Sequence, residues 1–123
     1  MQGPQNRTVY IGSTVNFRCT TEGLSDIDWK YAATAGGASM YVFDRRGRND
    51  KQFDERFVKT ANRSTCILTI RNVQKSDAGS YICRERTVGS DWTARLTVIG
   101  QSVFLAMFYI RAGKFLTEPK ALS

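Results

Sequence analysis

Between residues 66 and 71 the chain alternates strictly, with Cys66, Leu68 and Ile70 on one side and Ile67, Thr69 and Arg71 on the other. A period of two is the pattern of a strand with one face buried. Val73 closes that apolar row, and Lys75-Ser76-Asp77-Ala78-Gly79 reads as a tight turn in which Gly79 is free to take positive φ. A second strand follows, with Tyr81 and Cys83 facing inward. The same alternation recurs upstream. Val15, Phe17 and Cys19 oppose Asn16 and Arg18, while Ile27, Trp29 and Tyr31 oppose Asp28 and Lys30. Residues 8–11 form a candidate first strand turned by Gly12-Ser13, and residues 40–44 another, followed by a polar hairpin over residues 45–50. Residues 92–99 make the last strand, with Leu96 and Val98 inward, after a short hairpin over residues 88–91. Many short strands in a chain 41% hydrophobic suit an all-β sandwich.

At 123 residues there is room for one domain, here residues 1–100. The tail, residues 101–123, departs from the alternating pattern. Its run over residues 103–110 is apolar on every side and includes Phe104, Met107, Phe108 and Tyr109. That run is shorter than the ~18 residues of a membrane span and too apolar for a solvated linker. It is expected to be buried in a contact, most economically between two copies of the chain. Residues 1–4 do not read as a signal peptide. The chain is expected to begin at or near the start of a mature ectodomain, with any signal, stalk or membrane anchor of the parent protein outside this stretch.

The formal charge of +7 suits solubility and also attraction to acidic glycans or acidic proteins. No base-reading motif accompanies it, which places nucleic acid last. The chain has no histidine, so it offers no Ser-His or Cys-His pair and no imidazole metal site, and no cofactor is implied. A non-enzyme is expected. Asn6-Arg7-Thr8 and Asn62-Arg63-Ser64 are glycosylation sequons at Asn6 and Asn62, in keeping with an extracellular protein, secreted or on a cell surface.

Asp77-x-Gly79-x-Tyr81-x-Cys83 resembles the E–F corner of the immunoglobulin superfamily, where a tyrosine two residues before the second cysteine bonds back to the corner backbone. Cys19 on an alternating strand, with Trp29 ten positions later, extends the resemblance over about residues 8–99. It implies a Greek-key sandwich of the V type, because Cys19 and Cys83 stand 64 positions apart and leave room for an extra hairpin. It also implies a Cys19–Cys83 disulfide with Trp29 packed on it, in an oxidising compartment. Asp54-Glu55-Arg56-Phe57 is similar to the V-set D strand and implies a structural ion pair of Arg56 with Asp77. The paired glutamines of antigen receptors are absent after Tyr31, and Ser90-Asp91-Trp92-Thr93 stands where a joined receptor carries Phe-Gly-x-Gly. The domain therefore resembles a V domain encoded whole.

A second resemblance is to the sialic-acid-binding immunoglobulin-like lectins, through residues 66–71 and 79–84. It implies an alternative bridge from Cys66 to Cys19, an Arg84 fork on a sugar carboxylate, and Trp92 stacked on the glycan. Those lectins have Phe where this chain has Cys83, so Cys19 has two possible partners. Trp29 and the corner favour Cys83, with Cys66 a buried free thiol. The outward residues of the C, F and G strands, namely Asp28, Lys30, Ile82, Arg84, Arg86, Arg95 and Thr97, form a face that V-type domains use for partners, often as homodimers. Lys30, Arg84, Arg86, Trp92 and Arg95 are its candidate contact residues. The expected function is recognition of a protein partner or of a second copy. An acidic-glycan lectin and a plain spacer domain stand as alternatives.

Overall fold

A computed structural model describes residues 2–21, 27–34, 36–44, 53–62, 64–87 and 89–100. Eight strands occur among them: β1 (Arg7–Tyr10), β2 (Val15–Thr20), β3 (Ile27–Ala32), β4 (Ser39–Phe43), β5 (Phe57–Ala61), β6 (Thr65–Ile70), β7 (Gly79–Glu85) and β8 (Ser90–Ile99). They form two sheets, one in the order β1-β8-β7-β3-β4 and one in the order β2-β6-β5. The polar hairpin expected over residues 45–50 and the connection over residues 22–26 lie outside the described residues, as does the tail.

The alternation read from the sequence becomes the interior of the sandwich. Val15, Phe17 and Cys19 from β2 meet Leu68 and Ile70 from β6, all at most 1% exposed. From the other sheet come Trp29, Tyr81, Cys83 and Ala94, each fully buried. An aromatic row runs through this core, from Phe53 against Phe57 to Tyr31, Tyr81 and Phe17, with successive ring centroids 5.1–5.9 Å apart. Such spacings are those of favourable edge and offset contacts.

Two local expectations change. Residues 54–56 form a turn, and the D strand begins only at Phe57. The Asp54 carboxylate accepts the Arg56 backbone N–H at 2.9 Å, and this local bond holds the chain in a turn before the strand starts. At the last hairpin, Ser90 and Asp91 already pair with Glu85 and Arg84, so they belong to β8.

The first strand is the exception to antiparallel order. β1 runs parallel to β8, with Thr8 opposite Thr97 and Tyr10 opposite Ile99. Gln2, only five residues before β1, instead exchanges backbone hydrogen bonds with Thr20 of β2 at 3.0 and 2.8 Å. The N-terminal segment thus crosses from one sheet to the other.

The corner between β6 and β7 is a single 3₁₀ turn, Lys75–Asp77. The Tyr81 hydroxyl donates to the Asp77 carbonyl at 2.6 Å, and the Tyr31 hydroxyl donates to the Ala78 carbonyl at the same distance. Burial raises the pKa of both phenols, so they remain donors at any physiological pH. Gly79 allows the close approach. Its φ is +147°, and a Cβ there would lie 2.7 Å from the Tyr31 ring and 2.8 Å from the Ala32 carbonyl oxygen.

Candidate functional site

The outward face of the five-stranded sheet is set by register. Lys30 lies opposite Ile82, and Ile82 opposite Thr93, while Arg84 lies between Asp28 and Asp91. All share the parity that points away from Trp29, Tyr81 and Cys83. Lys30 places its ammonium 5.3 Å from the centroid of the Tyr41 ring, a cation–π contact at the β3–β4 edge. Arg84 binds Asp91 through Nη1, at 3.1 Å to Oδ1 and 3.3 Å to Oδ2. Arg95 and Thr97 are exposed along β8. Ile82 is half-buried in the middle of the row, and Tyr41 is exposed.

Asp28 departs from the expected open face. It has the outward parity and pairs with Arg84 of β7, but its exposure is only 1%. Arg86, in the turn after β7, approaches its Oδ2 with Nε at 3.5 Å. Among the described residues neither Asp28 oxygen accepts a hydrogen bond, so Arg86 answers the buried charge by proximity alone. Arg86 is thereby committed to a structural partner, although its side chain stays 42% exposed.

Trp92 is on the other face. It pairs with Cys83 across the ladder and has the parity of Ala94, Leu96 and Val98, all of them buried. Its ring packs on the hydrophobic core and on the N-terminal segment, where a Cβ at Gly3 would lie 2.5 Å from the Trp92 Cβ. Arg84 and Trp92 therefore point to opposite sides of one sheet. They cannot grip a single sugar together, and Arg84 already has a carboxylate of its own in Asp91. Of the expected contact residues, Lys30, Arg84 and Arg95 share the outward face, Arg86 flanks it, and Trp92 is excluded.

Arg56 and Asp77 meet in a two-pronged pair, Nη1 to Oδ2 at 2.7 Å and Nη2 to Oδ1 at 3.1 Å. Asp77 is 6% exposed and also accepts the Gln74 backbone N–H at 2.7 Å. Arg56 further donates to the Asn72 carbonyl at 3.0 Å, and its pKa is raised chiefly by the hydrogen bonds to Asp77. Removing the guanidinium strands a buried carboxylate. Arg56→Ala is expected to cost about 3 kcal/mol, the low end for a broken buried pair because Arg56 keeps some contact with water. A urea unfolding curve that moves by less than ~1 kcal/mol would show the pair to be dispensable.

Cys19 and Cys83 are bonded across the two sheets with their Cα atoms 6.4 Å apart. Cys66 is free and buried. Sequence reasoning missed its contact: the Trp29 indole N–H donates to the Cys66 sulfur at 3.3 Å. A buried indole N–H needs an acceptor, and the Cys66 sulfur supplies it. Burial raises the Cys66 thiol pKa, so the sulfur is a protonated acceptor rather than a reactive thiolate. The odd cysteine on an inward position was the available signal.

Both sequon asparagines are exposed. Asn6 accepts the Arg95 backbone N–H on its Oδ1 at 2.8 Å, which leaves its side-chain nitrogen free of that bond. Asn62 sits in the tight turn between β5 and β6, its backbone N–H bonded to the Thr65 carbonyl at 2.7 Å. Phe104, Met107, Phe108 and Tyr109 lie outside the described residues.

The family description of the immunoglobulin V-set domain matches residues 2–99. The chain belongs to the immunoglobulin V-set family. That match covers both sheets and the crossing N-terminal segment. Among curated proteins, this V-set chain is 32% identical to Neuroglian of Drosophila melanogaster over 102 residues, which is 83% of this chain and 7% of that protein. It is 30% identical to the Fibroblast growth factor receptor of Ciona intestinalis over 109 residues, 81% of this chain and 13% of that protein. The V-set chain thus spans a small part of either relative.

Proposed function

We propose that this V-set domain is a non-enzymatic, extracellular recognition module that binds a protein partner, or a second copy of itself, through the outward face of β3, β7 and β8. The observation that carries this reading is the composition of that face. Half-buried Ile82 lies between Lys30, stacked on Tyr41, and Thr93, with Arg84 two residues along its own strand and Arg95 two residues along β8. An apolar centre with tyrosine and arginine around it is the make-up of protein interfaces. Arg84 offsets Asp91 and Arg86 offsets Asp28, which leaves Lys30 and Arg95 as net positive charge on the face, so a partner with acidic side chains is favoured. One relative is by name a growth-factor receptor, which suits a ligand-facing domain.

Sedimentation of the purified chain tests self-recognition directly. A dimer that Ile82→Arg converts to monomer identifies the face. A dimer untouched by Ile82→Arg but lost on deletion of residues 101–123 moves the interface to the tail and overturns the reading for homodimerisation.

A further inference from the structure

Where the N-terminal segment leaves β2 to join β8 it encloses a groove of about 270 Å³, lined by Gln2, Gly3, Gln5, Arg7, Asn16 and Arg18. The groove is built into the fold. Gln2 is fixed to Thr20 by two backbone hydrogen bonds, Asn6 is tied to Arg95, and Arg7 begins the ladder with β8. Gly3 lets the segment lie against Trp92, since any side chain there would meet the indole. Asn16 and Arg18 project from β2 on the side opposite Val15, Phe17 and Cys19. The volume lies just below the roughly 300 Å³ at which small-molecule pockets begin, enough for one charged sugar ring.

The lining has a single chemical character. Among the described residues it holds two guanidiniums, three side-chain amides and a glycine, with no carboxylate and no apolar side chain. Among the described residues neither Arg7 nor Arg18 has an ion-pair partner. Among the described residues the one side-chain hydrogen bond of these six runs from the Thr69 hydroxyl to Asn16 Oδ1, at 2.6 Å, and the Asn16 amide nitrogen is not part of it.

We propose that this groove binds the sulfate or carboxylate of an acidic saccharide, with Arg7 and Arg18 forking onto the anion and Gln2, Gln5 and Asn16 meeting the ring hydroxyls. Planar guanidiniums match the paired oxygens of such groups. Amide side chains offer a donor and an acceptor together, as hydroxyl groups do. A protein partner would call for an apolar anchor point, and the described residues of the groove offer none. The site lies apart from the β3–β7–β8 face and stands or falls independently of the protein-recognition reading.

Calorimetric titration of the full chain with three probes of equal charge tests it: a sulfated oligosaccharide, a uronate-bearing oligosaccharide and an oligoglutamate peptide. At least one saccharide is expected to bind more tightly than the peptide, and the stronger of the two names the anion. Arg7→Ala/Arg18→Ala should weaken that binding by about tenfold or more, as loss of charge-assisted hydrogen bonds does. Arg71→Ala/Lys75→Ala removes the same net charge at exposed positions elsewhere and should leave it within about twofold. In the parent chain, NMR should show the side-chain amides of Gln2, Gln5 and Asn16 shifting with bound saccharide, a readout that needs no variant to fold. Absence of saccharide binding, equal or tighter binding of oligoglutamate, equal weakening in the two double variants, or amide shifts confined to other residues would each overturn the proposal.

Discussion

Trp29→Ala is expected to lower the unfolding free energy by about 3–5 kcal/mol, the range for deleting a large buried aromatic. Trp29 is fully buried, lies opposite Cys83 in the β3–β7 ladder, and faces Phe43 across the β3–β4 ladder. Truncation leaves a void between the sheets and also removes the donor that reaches the Cys66 sulfur. A domain of ordinary stability, with some 5–15 kcal/mol in hand, would lose a large fraction of it. Denaturant unfolding checks this by the shift in midpoint at constant slope. A shift worth less than ~1 kcal/mol would mean that the core closes around the gap and that Trp29 is not its centre.

Loss of the disulfide should cost a comparable amount, but how much depends on which cysteines remain. Cys19→Ala/Cys83→Ala opens a loop spanning 64 positions and is expected to cost roughly 4 kcal/mol by loop-closure entropy. Cys83→Ala alone should cost measurably less. Cys19 and Cys66 are direct partners in the β2–β6 register, and facing residues of an antiparallel pair stand about 4.5–5.5 Å apart at Cα, within reach of a bridge. Under oxidising conditions the single variant is expected to form Cys19–Cys66 within one sheet. Peptide mapping without reductant should recover that linked pair, and the urea midpoint should fall between those of the parent and the double variant. Equal midpoints for the single and double variants would show that the two thiols cannot meet.

Much of the fold could be read from parity. Val15, Phe17 and Cys19, or Leu68 and Ile70, are inward because every second residue of a strand faces the same way, and a buried face tolerates no slip. Trp92 was legible by the same rule, since it has the parity of Leu96 and Val98. Assigning it to the ligand face followed a family pattern in place of the period. Asp28 shows what parity leaves out: alternation gives the side of the sheet but not the depth, and depth depends on what else packs over that face. The parallel pairing of β1 with β8 and the Gln2–Thr20 bridge join residues 89 and 18 positions apart. No local pattern encodes such contacts, so the groove between them could be seen only once both sheets were assembled.

That crossing N-terminal segment also decides how the domain answers to mechanical load. β1 and β8 run side by side in the same direction, so tension between the two ends of the domain draws them past one another along their length. The ladder bonds joining them then resist together, in shear, where a hairpin pulled from its open end would yield one bond at a time. The Gln2–Thr20 bridge must also give way, which ties the second sheet into the resistance. A pull across this domain meets a latch before it reaches the core, and beyond that latch the covalent Cys19–Cys83 link limits how far the chain can extend.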